Sequence, residues 1–320
     1  MVATLSLIGG LILLLVAGDI VVRGAVSLAE RMGIPTLVIG LTIIAFGTSA
    51  PELVISLRAA LAGSGEIAIG NAVGSNIANV LLVLSVPSLM AVTRCYEPGA
   101  VRNSVFMIVI SLVFLAFCYF PPLNRPAGIA LLALLAFFLT DQVRTAMRAR
   151  RENGAGELDL ELIDGVEGVP HSVPLAFGFV VIGLVGLPLG ANLAIDGAVT
   201  LARSWDVSET TIGLTVIAIG TSLPELSATL MAAIRGQSAV AVGNVIGSNI
   251  FNILAIMGTT AVIAPIPVPD RIVYYDGWVM LLSSGLILVL ALMRGSIGKR
   301  IGLAMFIAYA VYLASVFEIA

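Results

Sequence analysis

Ten apolar stretches, each near the length needed to cross a bilayer, constrain this chain more than any other feature of its sequence. A spanning helix takes about 20 apolar residues, and the stretches lie at 4–28, 37–61, 67–92, 103–120, 127–145, 173–200, 210–234, 239–264, 277–293 and 301–318. Charged residues make up 11% of the chain, whereas a soluble chain carries about 25%. A formal charge of −3 offers no field for nucleic acid. We therefore predict an all-α polytopic membrane protein with ten transmembrane helices, whose surroundings are the lipid bilayer.

One long polar segment divides the ten stretches into two sets of five. It runs from Arg148 to His171 and is rich in acidic residues. We predict a first five-helix repeat at 1–147, a cytoplasmic acidic linker at 148–172 and a second five-helix repeat at 173–320. The linker acids are compatible with calcium sensing or with a solvated hinge, and the absence of a D-x-[DN]-x-[DN]-G loop favours the hinge.

The two halves are related in sequence. Residues 40–84 align without a gap on residues 213–257, and about half of the positions are identical. Because each copy has an odd number of helices, the second copy must enter the membrane from the opposite side. We therefore predict two inverted repeats, an architecture typical of secondary transporters.

The cationic residues predict the orientation in the membrane. They concentrate in the loops after the first, third, fifth, seventh and ninth stretches, and few lie on the other side. The positive-inside rule then places the linker in the cytoplasm and both termini outside a plasma membrane that the chain crosses many times. The sequence leaves the oligomeric state open, a monomer included.

Two copies of the motif Gly-Thr-Ser-x-Pro-Glu interrupt the second and seventh stretches, at 47–52 and 220–225. Proline removes a backbone donor and clashes with the preceding turn, so each helix is predicted to break there. The break should free carbonyls near Ala45, Thr48, Ala218 and Thr221. The structural alternative is a kinked helix whose Ser or Thr caps the second half. Capping does not require a carboxyl in hydrocarbon, where a charge costs at least about 2.5 kcal/mol, so we predict that Glu52 and Glu225 are functional.

Inverted symmetry would bring Glu52 and Glu225 to the membrane midplane from opposite sides. Two unpaired carboxylates would repel each other there unless a cation joined them. Carboxylates together with carbonyls, hydroxyls and water are the ligands that calcium prefers. The two acids therefore predict a cation site between the repeats.

The third and eighth stretches each carry Gly-Asn-x-x-Gly-Ser-Asn-Ile-x-Asn. Residues four apart share a helical face, which predicts neutral ligands at Ser75, Asn79, Ser248 and Asn252. The alternative is helix packing through small residues and amides, which we favour for the glycines. For the other asparagines of the motif, both the ligand and the packing interpretation stay open: Asn71, Asn76, Asn244 and Asn249. A further intramembrane acid, Asp19, has Arg23 one turn later and is predicted to form a structural ion pair.

The doubled motif resembles the alpha repeats of the calcium/cation antiporter superfamily, in particular those of prokaryotic sodium/calcium exchangers. The resemblance covers both repeats and the ten-helix layout. It implies that the chain is an antiporter and not an enzyme, that it exchanges Ca²⁺ for Na⁺ and that it needs no cofactor. It also implies that Glu52 and Glu225 are shared ligands, helped by the carbonyls of Thr48 and Thr221. Sodium sites would be completed by Ala45, Ser49, Ser75, Asn79, Ala218, Ser222, Ser248 and Asn252.

The resemblance further implies alternating access, with the first and sixth helices sliding across a rigid core, and more than two Na⁺ per Ca²⁺. Some relatives, potassium-dependent exchangers included, have Asp where Asn252 stands. The neutral Asn252 of this chain therefore argues against potassium cotransport. Proton-coupled relatives more often carry Gly-Asn-x-x-Glu, which is missing here. A proton-coupled or potassium-assisted exchanger is the alternative. A cation channel would share the ligands without needing inverted repeats, and an intramembrane hydrolase would need its two acids for acid-base work.

Overall fold

The computed structural model describes residues 2–152, 170–205 and 218–319, and these are almost entirely helical. The helices are α1 Val2–Met32, α2 Thr36–Thr48, α3 Ala50–Leu61, α4 Gly65–Ser88, α5 Ala100–Cys118, α6 Arg125–Glu152, α7 Val173–Ser204, α8 Ala218–Thr221, α9 Leu223–Ile234, α10 Ser238–Ile263, α11 Ile272–Leu292 and α12 Lys299–Ile319. Two short strands, β1 Thr93–Arg94 and β2 Ser296–Ile297, pair antiparallel.

The helix lengths and compositions confirm a multi-pass membrane protein. Within the described ranges eight helices are long and apolar enough to span a bilayer, and α2 with α3 makes a ninth span if the bent pair is counted as one. The short apolar helix α9 and the single turn α8 before it follow residues 206–217, which lie outside the described residues, so this stretch is not counted as a span. Ten helices and the inversion of the repeats therefore stay predictions.

The boundary between the first repeat and the linker differs from the predicted one. Helix α6 continues to Glu152 and so takes in the first residues of the predicted linker, because arginines favour its last turn. The remaining linker, 153–169, is outside the described residues, and its reading as a hinge stays a prediction.

The sequence duplication is also a duplication of local structure. Helices α3 and α9 each have 12 residues, and the regular α-helical parts of α4 and α10 each have 14. Both of these parts pass into a π-helical turn that begins at Asn79 in α4 and at Asn252 in α10. Such turns are frequent at functional sites, and here each begins at a predicted ligand.

Helices α1 and α7 pack against each other along their lengths. Gly10 on α1 lies against the backbone of Ala194, and Gly183 on α7 lies against Val21, with no room for a Cβ atom at either glycine. Small residues allow this close approach between membrane helices. The buried apolar residues of the pair form one cluster with residues of α2, α9 and α10, and this cluster is distinct from the larger one built mainly on α4, α5, α10 and α11.

Polar contacts tie α1 to α9. Asp19 forms the predicted ion pair with Arg23 at 2.6 Å, and it also pairs with Arg235, a partner that the sequence did not indicate. The Ser227 hydroxyl donates a hydrogen bond to the backbone carbonyl of Leu14. In the described part of the chain, α7 makes no comparable contact with α3. The equivalent of Ser227 in α3, Val54, is 49% exposed, whereas Ser227 is 4% exposed, so the two repeats pack unsymmetrically.

Candidate ion-binding site

The first proline motif breaks its helix as predicted. Helices α2 and α3 meet at 44° around Ser49, and Pro51 lies in the first turn of α3. Pro224 has the same place in α9. Neither Ser49 nor Ser222 makes a side-chain capping hydrogen bond. Capping therefore does not explain the serines at the two breaks.

The expectation that the Ala45 carbonyl is free of partners is wrong. It accepts hydrogen bonds from the Ser49 backbone N–H at 3.0 Å and from the Thr48 hydroxyl at 3.3 Å. The reason is that the helical bonding of α2 continues through Thr48 to Ser49 before the proline interrupts it. In the second repeat, Ala218 begins α8 one turn before Thr221.

The two intramembrane carboxylates lie at equivalent places at helix N-termini. Glu52 is in the first turn of α3 and Glu225 is in the first turn of α9, where the helix dipole favours negative charge. Each is 1% exposed. The Ser49 hydroxyl donates a hydrogen bond to Glu225 Oε1 at 3.0 Å, which joins the first repeat to the second.

The side chains predicted to be neutral ligands, which lie in the proline motifs and in the asparagine motifs of the next helices, are all buried. None is more than 6% exposed: Thr48, Ser49, Ser75, Asn79, Thr221, Ser222, Ser248 and Asn252. Twelve buried side-chain nitrogen or oxygen atoms in the described part of the chain have no hydrogen-bond partner. Half of them are oxygens at predicted ligand positions: Glu52 Oε2, Asn79 Oδ1, Ser222 Oγ, Glu225 Oε2, Ser248 Oγ and Asn252 Oδ1.

This concentration of unpartnered acceptors points to a bound cation. Buried polar atoms almost always have a partner, and leaving one without costs about 1–3 kcal/mol. A carboxylate oxygen, an amide oxygen and a hydroxyl oxygen can all satisfy this need by binding a hard cation. The chemistry of these six atoms therefore fits sodium or calcium ions.

Two asparagines that the sequence left between packing and binding connect the repeats. The side-chain amide of Asn76 donates to the backbone carbonyl of Asn249 at 3.2 Å, and Asn249 donates to the carbonyl of Asn76 at 3.2 Å. Their side-chain oxygens accept from Asn252 at 2.9 Å and from Asn79 at 3.1 Å. Thus the predicted ligand amide of each repeat, Asn79 or Asn252, donates to an asparagine of the other repeat.

The remaining two asparagines bond to the helix preceding their own. Asn71 donates to the Ser56 hydroxyl at 3.1 Å, and Asn244 donates to the Thr229 hydroxyl at 3.0 Å. These equivalent bonds join α4 to α3 and α10 to α9. They support the packing reading for Asn71, whereas Asn244 also accepts a bond from Thr48 at 3.4 Å.

The chain is a bundle of apolar helices with two buried carboxylates and several buried neutral oxygens. Its relatives place it among transporters and not enzymes. The chain belongs to the sodium/calcium exchanger protein family, whose model matches residues 2–143 and 175–317.

Individual relatives are similar over nearly the whole chain. Inner membrane protein YrbG of Escherichia coli is 36% identical over 318 residues, covering 99% of this chain and 97% of that protein. Sodium/calcium exchanger MaX1 of Methanosarcina acetivorans is 30% identical, with 98% of each covered. A solved structure of the sodium-calcium exchanger NCX_Mj superposes with a TM-score of 0.83 at 29% identity, again covering 98% of each chain. The predicted relation to prokaryotic exchangers is thereby confirmed.

Proposed function

We propose that this protein exchanges Ca²⁺ for Na⁺ across the plasma membrane by alternating access. The observation that carries the proposal is the pair of buried carboxylates, one from each repeat, accompanied by unpartnered amide oxygens at Asn79 and Asn252 and unpartnered hydroxyl oxygens at Ser222 and Ser248. The proposed ligands in the first repeat are Ala45, Thr48, Ser49, Glu52, Ser75 and Asn79. Those in the second are Ala218, Thr221, Ser222, Glu225, Ser248 and Asn252.

The charge of the site explains why the two ions would be exchanged. No third His, Cys, Asp or Glu joins Glu52 and Glu225 in the described ranges, so one Ca²⁺ or two Na⁺ neutralise the site. A neutral loaded site can change sides without burying net charge. The unloaded site would carry two uncompensated carboxylates through the membrane, which is strongly unfavourable. Return therefore requires the other ion.

A further Na⁺ bound by neutral oxygens would make the exchange electrogenic. The unpartnered oxygens of Asn79, Ser222, Ser248 and Asn252 offer ligands beyond the two carboxylates. With more than two Na⁺ per Ca²⁺, each cycle moves net charge, and every charge is worth about 2.3 kcal/mol per 100 mV.

The unsymmetrical packing of the two repeats supports alternating access. Helix α1 is held to α9, whereas in the described ranges α7 makes no comparable contact with α3. If the repeats are inverted, exchanging these two packings would move the open side from one face of the membrane to the other. The close packing of α1 against α7 along their lengths suits movement of this pair as a unit.

The orientation rests on the charges at the helix ends. Arg150 and Arg151 lie in the last turn of α6, directly before the linker, which supports a cytoplasmic linker and extracellular termini. A single chain supplies both carboxylates, so a monomer suffices for the proposed chemistry.

Transport by the purified protein tests this proposal. Liposomes would be loaded in turn with Na⁺, K⁺ or protons, and uptake of radioactive calcium would be measured. We expect uptake only with internal Na⁺, and faster uptake at an inside-positive potential, because net positive charge leaves with the sodium. Uptake driven by protons or requiring K⁺ would favour the alternative exchangers, and uptake without any counter-ion would favour a channel.

A further inference from the structure

Four buried amides form a bonded chain across the centre of the molecule. Asn76, Asn79, Asn249 and Asn252 are each no more than 1% exposed. Two of them, Asn79 and Asn252, are proposed ligands. The other two make no contact that would identify them as ligands, and they hold the first two.

The backbone decides which way every amide in this chain faces. A carbonyl oxygen can only accept, so the side-chain nitrogens of Asn76 and Asn249 must face the two carbonyls they contact. Their side-chain oxygens then face the ligand amides and can also only accept. The nitrogens of Asn252 and Asn79 must therefore face these oxygens.

The consequence is a fixed orientation of the two ligand amides. The side-chain nitrogens of Asn79 and Asn252 are engaged in these hydrogen bonds, so their side-chain oxygens face away from Asn249 and Asn76. Both oxygens are buried without a hydrogen-bond partner in the described structure. An amide is nearly symmetric in shape but has opposite chemistry at its two ends, since its NH₂ group repels a cation. An unheld amide could present either end.

We propose that Asn76 and Asn249 are positioning residues that make the ligand amides present oxygen to the transported ion. Asn76 positions Asn252, and Asn249 positions Asn79, so each acts on the opposite repeat. This inference rests on the proposed function. It differs from simple helix packing, for which removing either asparagine would weaken all site variants alike.

The test uses the fact that a carboxylate has an oxygen at both ends and needs no orientation. Asn76→Ala would be introduced into the wild-type, Asn252→Asp and Asn79→Asp proteins, and the half-saturating Na⁺ concentration would be measured for exchange. We expect about a tenfold rise in the wild-type protein, equivalent to about 1.4 kcal/mol. The same rise is expected with Asn79→Asp, but less than a twofold rise with Asn252→Asp.

The reciprocal variant and a control make the result decisive. Asn249→Ala should lose its effect in the Asn79→Asp protein and keep it in the Asn252→Asp protein. Asn71→Ala removes another amide of the same motif and should leave the half-saturating Na⁺ concentration unchanged. Melting temperatures with and without Na⁺ provide a second readout that does not depend on transport.

Several outcomes would overturn the inference. These are no rise with Asn76→Ala or Asn249→Ala, an equal rise in both Asp proteins, or failure of both Ala variants to fold in every protein tested. A wild-type protein that moves no calcium in response to Na⁺ would instead reject the proposed function, while Na⁺-dependent melting would still report on the amides.

Discussion

Replacing either central carboxylate by its neutral amide should affect Ca²⁺ much more than Na⁺. At a ligand distance of about 2.4 Å and an effective dielectric constant of about 20, one carboxylate charge attracts Ca²⁺ by about 14 kcal/mol and Na⁺ by about 7 kcal/mol. Because Glu52 and Glu225 are each 1% exposed, bulk water does not replace the lost charge. If the amide oxygen recovers two thirds of the attraction, calcium binding still weakens more than about 10³-fold and sodium binding about 50-fold.

Glu52→Gln and Glu225→Gln would each be measured for radioactive calcium uptake and, in detergent, for calcium and sodium binding by calorimetry. Glu66→Gln is the matched control, because Glu66 is an exposed acid in the first turn of α4. Glu52→Asp retains the charge and separates its loss from a change of shape. Calcium exchange near the wild-type rate by either Gln variant, with the protein folded, would refute the reasoning.

Three further variants test the site, the topology and the packing. Asn252→Asp adds a third negative charge, so calcium titrations should show tighter binding or a new dependence on K⁺ or pH; unchanged ion dependence would place the residue outside the site. Ser64→Cys and Gln237→Cys place cysteines at the starts of α4 and α10, where the native side chains make no capping bonds, and the native cysteines are buried. The two new cysteines should react with an impermeant thiol reagent from opposite sides of the membrane, Ser64→Cys from outside. Labelling of both from the same side would reject the inversion of the repeats. Asp19→Asn removes the ion pairs with Arg23 and with Arg235, and Arg235 is less than one-fifth exposed. It should therefore weaken the contact between α1 and α9 by about 1–3 kcal/mol. Labelling of Gln237→Cys should then speed up at least fivefold, and an unchanged rate would contradict a role of Asp19 in holding α1 against α9.

Local features of the fold could be predicted because their causes are local. Proline 51 interrupts its helix whatever surrounds it, and the hydropathy of a stretch is set by its own residues. The π-helical turns at Asn79 and Asn252 could not be predicted, since no residue type encodes them. Their repetition in both halves indicates that the duplicated sequence specifies them through its packing.

Contacts between the two halves could be predicted from the sequence only where the symmetry of the repeats indicated them. The approach of the two proline motifs, seen in the bond from Ser49 to Glu225, follows from the repetition of the motif. The bond from Asp19 to Arg235 does not, because Asn192 stands at the equivalent of Asp19 and breaks the symmetry. The roles of Asn76 and Asn249 depend on which end of an amide faces which neighbour, and the sequence contains no information on that until the backbone carbonyls are placed.

The bonds that cross between the repeats also set a problem for biosynthesis. Ser49 and Asn76 find their partners 176 and 173 residues later in the chain. At about 5–20 residues per second, the ribosome needs roughly 9–35 s to make that length. During this interval the first half already contains a carboxylate and several amides that are buried in the folded protein. Until the second half is inserted, water or the insertion machinery must satisfy these groups, because hydrocarbon cannot.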